Sequence, residues 1–189
     1  MKLKIFLVIM FLQQTTLLFA LRSRVYFGHS IRSKIVQLIR DEKKSIKVAM
    51  YTFTDIIIAQ ALVQAAERNV RVECIVDGFT NRVPAGKGFY LRDAGIAVMQ
   101  YAPSRQKSLM HNKYMIFSQT NIIDSVQGVP CVIAGSYNCT YNATFNNHEN
   151  MIMISDKKTI ERYRENFKKI KKESFYISKE LAKRRSREE

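Results

Sequence analysis

Apolar residues recur along this chain with two alternating periods. From Ser30 to Arg40 they fall at 31, 35, 36, 38 and 39, the spacing of an amphipathic helix. Ile46–Phe53 then reads as a strand, and Asp55 stands where an N-cap is needed for a helix over Ile56–Arg68. Val70–Val76 puts Val72, Cys74 and Val76 on one face of a second strand. A basic loop with Gly and Pro, Phe79–Gly88, leads to a short helix ending at Ala94. Gly95 is its expected C-cap and Ile96–Tyr101 the next strand. The second half is richer in strands: Lys113–Phe117, Val129–Ser136 and Met151–Ile154. Ser118–Pro130 is a polar connection, long for a hairpin. Lys157–Lys172 returns to the helical period, with Ile160, Tyr163, Phe167 and Ile170 on one face. This alternation predicts an α/β fold: a three-layer α-β-α sandwich with a mixed, largely parallel central sheet covered on both faces. No internal repeat is visible.

Composition narrows the picture. A chain of 189 residues with 47% hydrophobic content is long and apolar enough for one domain with a real core, which excludes a disordered polypeptide. The net charge of +15 points to polyanionic partners, nucleic acid or an acidic membrane surface. Lys2 and Lys4 precede an apolar run from Ile5 to Leu12, and Leu17–Leu21 follows a polar break. Residues 1–21 therefore read as a signal peptide with Ala20 before the cleavage point, or else as an N-terminal membrane anchor. The expected location is exported, periplasmic or secreted, with membrane anchoring as the alternative. Residues 22–175 form the expected domain, and 176–189 a charged tail. Cys74, Cys131 and Cys139 are odd in number and lack a C-x-x-C spacing, so neither a disulfide framework nor a zinc site is expected.

The candidate chemistry lies at strand ends. His111-Asn112-Lys113 enters one strand, Gly135-Ser136-Tyr137-Asn138-Cys139-Thr140 closes the next, and Asn147-His148-Glu149-Asn150 opens a third. In extended backbone, residues two apart share a face, so His111 projects with Lys113, and Ser136 with Asn138. A histidine can attack phosphorus, a lysine can hold a phosphoryl oxygen, and a hydroxyl and an amide can converge on the same group. His29 reads as a surface or structural residue, and His148 as a neighbour of Glu149 rather than a catalyst. No H-E-x-x-H, no paired Cys and few acids accompany these motifs, so no metal and no cofactor are expected.

The ordered set H-x-K, G-S-x-N-x-T and N-x-E-N resembles the phospholipase D superfamily, nearest to its single-motif bacterial endonucleases. The resemblance covers Val25 to Ser174 and takes in Ser45–Phe53 and Val70–Gly78 as the family's first half. It implies a phosphodiesterase with His111 as nucleophile, Lys113, Ser136 and Asn138 around the phosphate, and Glu149 accepting a hydrogen bond from the other ring nitrogen of His111. One chain supplies one such histidine. A symmetric dimer would supply a second as acid for the leaving group, and the resemblance implies that arrangement too. The family's longer pattern, H-x-K-x4-D, would place an aspartate at 118, where this chain has Ser118; that aspartate is a supporting residue, and Asp124 lies in the adjacent loop.

The expected function is thus a metal-independent phosphodiesterase, foremost a low-specificity endonuclease on DNA or RNA acting as a homodimer. Basic, aromatic-bearing segments support it: Phe79–Phe89 with Arg82 and Lys87, and Tyr101–Lys107 with Arg105. The alternative is a lipase acting on an anionic phospholipid such as cardiolipin. A third class, an inactive nucleic-acid-binding dimer, is suggested by Ser118 alone, and the five intact site residues argue against it.

Overall fold

A computed structural model describes residues 23–82, 85–101, 108–123 and 126–177. The expected leader, residues 1–21, lies outside the described residues. So do Arg105, Asp124 and the charged tail from residue 178.

The described chain runs β1 (Ser23–Phe27), α1 (Ser30–Asp41), β2 (Ser45–Met50), α2 (Ile56–Glu67) and β3 (Arg71–Asp77). A single 3-10 turn at Thr80–Arg82 precedes α3 (Gly88–Asp93) and β4 (Ala97–Tyr101). The second half contributes β5 (Lys113–Thr120), β6 (Val129–Gly135), α4 (Tyr141–Phe145), β7 (Asn150–Ile154), α5 (Lys157–Lys172) and β8 (Ser174–Tyr176). All eight strands join one sheet in the order β1-β7-β6-β5-β2-β3-β4-β8.

The class is the expected one, a helix-covered mixed sheet, but the sheet is not largely parallel. Only β2–β3 and β3–β4 run parallel, and the other five pairings are antiparallel. The cause lies in the connections. A parallel neighbour needs a crossover of a dozen or more residues, and α2 and α3 provide those in the first half. In the second half, among the described residues, no long helix crosses the sheet between β5, β6 and β7, and each strand pairs antiparallel with the next. The β5–β6 connection is also tighter than the sequence suggested. β5 continues to Thr120, and Ile123 and Val126 form an antiparallel bridge in the turn. Sequence periodicity did not reveal β1, β8 or α4, each only three to five residues long.

Alternation along the strands divides the core in two. Ile46, Val48, Val72, Cys74, Met115 and Phe117 face the layer that carries α1 and α2. Ala49, Ile75, Tyr114 and Ile116 face α5, whose Ile160, Phe167 and Ile170 lie on the stripe the sequence predicted. Asp55 caps α2 as expected, accepting the amides of Ile57 (2.8 Å) and Ile58 (3.1 Å). Gly95, at φ +84°, ends α3 in the left-handed conformation its C-cap position requires. All three cysteines are buried free thiols.

Strand directions decide where function can sit. β5 starts where β2 ends, because Lys113 pairs with Met50. The ends of β3 and β6, and the start of β7, lie at that same sheet edge through the register of their pairings. Every motif singled out in the sequence therefore meets at the carboxyl edge of the parallel strands, the customary place for a ligand in an open α/β sheet.

The opposite edge holds a buried carboxylate. Glu42, 1% exposed, accepts the amides of Lys44 (2.8 Å), Ser45 (2.9 Å) and Gln119 (2.9 Å), joining the end of α1 to β2 and β5. Ser118, the residue at the family's aspartate position, shares a 2.7 Å hydrogen bond with the Ser45 hydroxyl. It stands about 17 Å along β5 from Lys113, at ~3.4 Å per residue. Glu42→Ala would leave these amides without their acceptor and should cost on the order of 3 kcal/mol. Urea unfolding of the variant checks this; a midpoint equal to wild type would remove Glu42 from the frame.

Candidate active site

His111 is exposed, yet the backbone around it is fixed from two strands. The preceding residue, Met110, is buried and donates its N–H to Asp77 Oδ2 at 3.0 Å. The other oxygen of Asp77 accepts the amides of Phe79 (3.0 Å) and Thr80 (3.2 Å). The buried Asp77 carboxylate thus ties the turn after β3 to the segment carrying His111. From β2, the Tyr51 N–H donates to the carbonyl of Asn112 at 2.8 Å, and the Thr80 hydroxyl donates to the carbonyl of Tyr51.

Lys113 returns onto this histidine. Its ammonium donates to the His111 carbonyl at 3.1 Å and lies 3.2 Å from Nε2 and 3.4 Å from Nδ1. The near-equal distances place the cation between the two nitrogens and not in line with either lone pair. Tyr51 closes the group. Its ring meets His111 edge to face, 4.4 Å between centroids at 62°, and the Lys113 ammonium lies 5.1 Å from the Tyr51 centroid. Partial burial holds the Lys113 pKa below the usual lysine value, and the negative charge of Glu149 works in the opposite direction.

Ser136 and Glu149 form the second half of the site. Gly135 makes their contact possible: a Cβ there would sit 2.2 Å from the carbonyl oxygen of Asn150. Without that side chain β6 closes on β7, and the Ser136 N–H donates to the Asn150 carbonyl at 3.2 Å. The Ser136 hydroxyl then donates to Glu149 and accepts the Asn150 N–H at 3.1 Å. Asn147 Nδ2 donates to the other Glu149 oxygen at 3.0 Å. Asn138 is fixed by its carbonyl oxygen, which accepts the Thr52 N–H at 3.3 Å, leaving the amide N–H groups as its donors.

The five residues expected from the sequence therefore share one sheet edge, arranged as two contacting pairs, His111 with Lys113 and Ser136 with Glu149. Among the described residues no hydrogen bond joins Glu149 to His111; Glu149 is held by Ser136 and Asn147 instead. His148 is exposed, and His29 packs on Phe145. Among the described residues no three His, Cys, Asp or Glu side chains form a metal-binding group. Tyr51 and Asp77 are the residues that sequence reasoning missed. Both lay inside segments with a plain strand pattern, and their contacts with residues 110–113 come only from the pairing of β2 with β5 and from the segment before β5 passing the end of β3. The assembly offers an exposed imidazole, a cation against it, an amide and hydroxyl donor pair, and a carboxylate, the groups that transfer at phosphorus employs.

Residues 35–171 match the family model described as cardiolipin synthase, PLD-like domain. The chain is 32% identical over 134 residues to a phospholipase D of Rickettsia prowazekii, covering 70% of this chain and 58% of the relative. It is 26% identical to the mitochondrial cardiolipin hydrolase of Xenopus tropicalis, covering 73% and 60%. It thus spans a little under two thirds of the length of these curated relatives. Among solved structures it is similar to Nuc of Salmonella typhimurium, a phospholipase D family member, with 26% identity and a TM-score of 0.68 over 82% of this chain and 98% of that one.

The Lys113 ionisation gives a direct test of the geometry. Glu149→Gln removes the charge that raises the Lys113 pKa and leaves the larger effect, burial, unopposed. The lysine should then lose its proton at a lower pH than in wild type. Titration of its 13Cε NMR signal reads this, and an unchanged or raised pKa would contradict the electrostatic contact.

Proposed function

Because the chain belongs to the phospholipase D-like family, we propose that it is a metal-independent phosphodiesterase, a low-specificity endonuclease acting on DNA foremost and RNA second. The observation that carries the reading is the Lys113 ammonium held 3.2 Å from the His111 imidazole. Nucleophile and phosphate-binding cation are thereby preorganised at one exposed point.

A neutral His111 nitrogen attacks phosphorus as the bond to the leaving oxygen breaks, giving a phosphohistidine. Lys113 and the Asn138 amide bind the phosphoryl oxygens, where charge develops. A further phosphoryl oxygen competes for the Ser136 proton. Winning it releases Glu149 from Ser136, and the freed carboxylate takes the remaining imidazole N–H of His111, the contact that the resemblance implies. The leaving oxygen needs a proton, and one chain has one histidine of this kind. In a homodimer, a protonated His111 of the second copy supplies it. Water then attacks the phosphohistidine, gives its proton to that second histidine, and regenerates the first.

The net charge of +15 and the likeness to single-motif bacterial endonucleases support nucleic acid as the substrate. A second reading, hydrolysis of an anionic phospholipid, is favoured by Phe79 and Leu109, 72% and 52% exposed beside the site, and by relatives that bear phospholipase and cardiolipin hydrolase names. Among the described residues no helix is long and apolar enough to cross a membrane. In this reading residues 1–21 would serve as the anchor that holds the site at a bilayer, with the exposed Phe79 and Leu109 side chains meeting its surface.

The deciding assay sets plasmid DNA, RNA and cardiolipin vesicles against purified protein in EDTA. Cleavage of nucleic acid with EDTA present is expected. Activity that vanishes with EDTA and returns with Mg²⁺ would end the metal-independent mechanism, and turnover of vesicles alone would establish the lipase reading. His111→Ala should lower turnover by at least about a thousandfold, the scale of losing a covalent nucleophile. Mixed dimers of wild-type and His111→Ala chains should be nearly inactive, because one intact half cannot be both nucleophile and acid. Half-maximal activity in the mixed dimer would rule out a shared site.

A further inference from the structure

A second aromatic cluster stands at the same sheet edge, on the β1 side of the site. Phe145 is its centre. The Tyr141 ring lies 4.7 Å away at 43°, the His29 ring 5.3 Å away at 51°, and the Arg32 guanidinium 4.7 Å over the ring. These side chains come from α1 and α4, with His29 immediately before α1, so tertiary structure brings them together. Both helices are anchored. Arg32 pairs with the buried Asp55 carboxylate at 3.7 Å, and the Thr140 hydroxyl caps α4 by accepting the Ala143 N–H at 3.1 Å. The cluster adjoins the phosphate-binding side of the site. α4 starts three residues after Asn138, and the Gly28 N–H donates to the Glu149 carbonyl at 3.4 Å.

The cluster is not core. Tyr141 is 65% exposed and Phe145 41%, while His29 is also exposed. Its supporting rings and its guanidinium already face one another, so Tyr141 is the ring left most open. Aromatic rings backed by a cation suit a nucleobase, which stacks through its π-face whatever its sequence identity. Acyl chains would instead be matched by a continuous aliphatic surface, which this tilted, charged group does not provide. In a duplex both faces of a base are covered by its neighbours, so the ligand is an unpaired base.

We propose that Tyr141, backed by Phe145, His29 and Arg32, is a stacking subsite that holds an unpaired base of a single-stranded nucleic acid next to the phosphate at His111. The proposal rests on the nuclease reading and extends it. The subsite acts on substrate binding and not on the reacting atoms.

The test uses the full-length protein, the oligonucleotide dT20 and a sugar-phosphate polymer of equal length with abasic residues throughout. Tyr141→Ala should raise KM for dT20 about tenfold, the scale of losing one base stack, with kcat within twofold. KM for the abasic polymer should not change, and Tyr141→Phe should restore the dT20 value. A 2-aminopurine placed in the strand should be quenched by His111→Ala protein and less so by the His111→Ala, Tyr141→Ala double variant. Equal loss on both polymers, no loss on either, or a change in oligomeric state caused by Tyr141→Ala would overturn the subsite. Failure of wild-type protein to cleave dT20 while it cleaves plasmid DNA or RNA would overturn the subsite alone; failure on all three would overturn the nuclease reading, and the subsite with it.

Discussion

The antiparallel pairing of β2 with β5 is the contact on which the site depends. It joins two halves of the chain built by different rules, one with helical crossovers and parallel strands, the other with short returns and antiparallel strands. Its register sets Met50 against Lys113 and carries on beyond the strands as the Tyr51–Asn112 hydrogen bond. A slip of one residue would turn Met115 and Phe117 away from the α1–α2 layer and present Tyr114 and Ile116 there instead. The same slip would send Lys113 to the other face. The hydrophobic pattern that buries the core is thus also what aims His111 and Lys113, and the geometry of this pair is protected by the cooperative pairing of the sheet.

Electrostatics at this edge follow from burial more than from counting charges. Lys113 is partly desolvated, which disfavours its charged form, and three features offset that cost: Glu149 nearby, the His111 carbonyl and the face of Tyr51. A cation stabilised by weak, separate partners remains available to a phosphoryl oxygen. Had Lys113 been locked in a short ion pair, as Lys171 is with Glu73 on the α5 side at 2.5 Å, it would have to break that pair before binding an anion. Glu149 avoids this role by spending its hydrogen bonds on Ser136 and Asn147.

The sequence showed most of this because its strongest signals are local. The long helices, Asp55 as a cap, Gly95 as a terminator and the i, i+2 relation of His111 to Lys113 all depend on residues close in the chain. What escaped it depends on distant pairing. The parallel bias expected of the sheet was an extrapolation from the first half, and the antiparallel pairing of β5 with β2 and β6, of β7 with β6 and β1, and of β8 with β4 overturned it. β1 and β8 are edge strands with largely exposed residues, so they carry no periodic apolar signature. Tyr51 and Asp77 look like ordinary strand-end residues until β2 and β3 are placed beside the segment leading into β5. Gly135 was visible in its motif, but the reason for it, the approach of the Asn150 carbonyl, belongs to the β6–β7 register.

The position where this chain departs from its family's pattern is informative for the same reason. Ser118 sits on the strand that carries Lys113 but at its far end, where it touches Ser45 and not the site. The need at that end is structural: the amides of Lys44, Ser45 and Gln119 converge as α1 turns into β2 alongside the end of β5. A buried carboxylate meets that need, and here Glu42 provides it from the end of α1. A negative charge at 118 would lie close to Glu42 in a poorly hydrated place, where two carboxylates repel strongly. Serine at 118 is thus the residue that this end of the sheet accommodates once Glu42 occupies it. Its hydroxyl adds a bond to the neighbouring strand without adding charge. The substitution changes how the frame is held together and leaves the groups around His111 untouched.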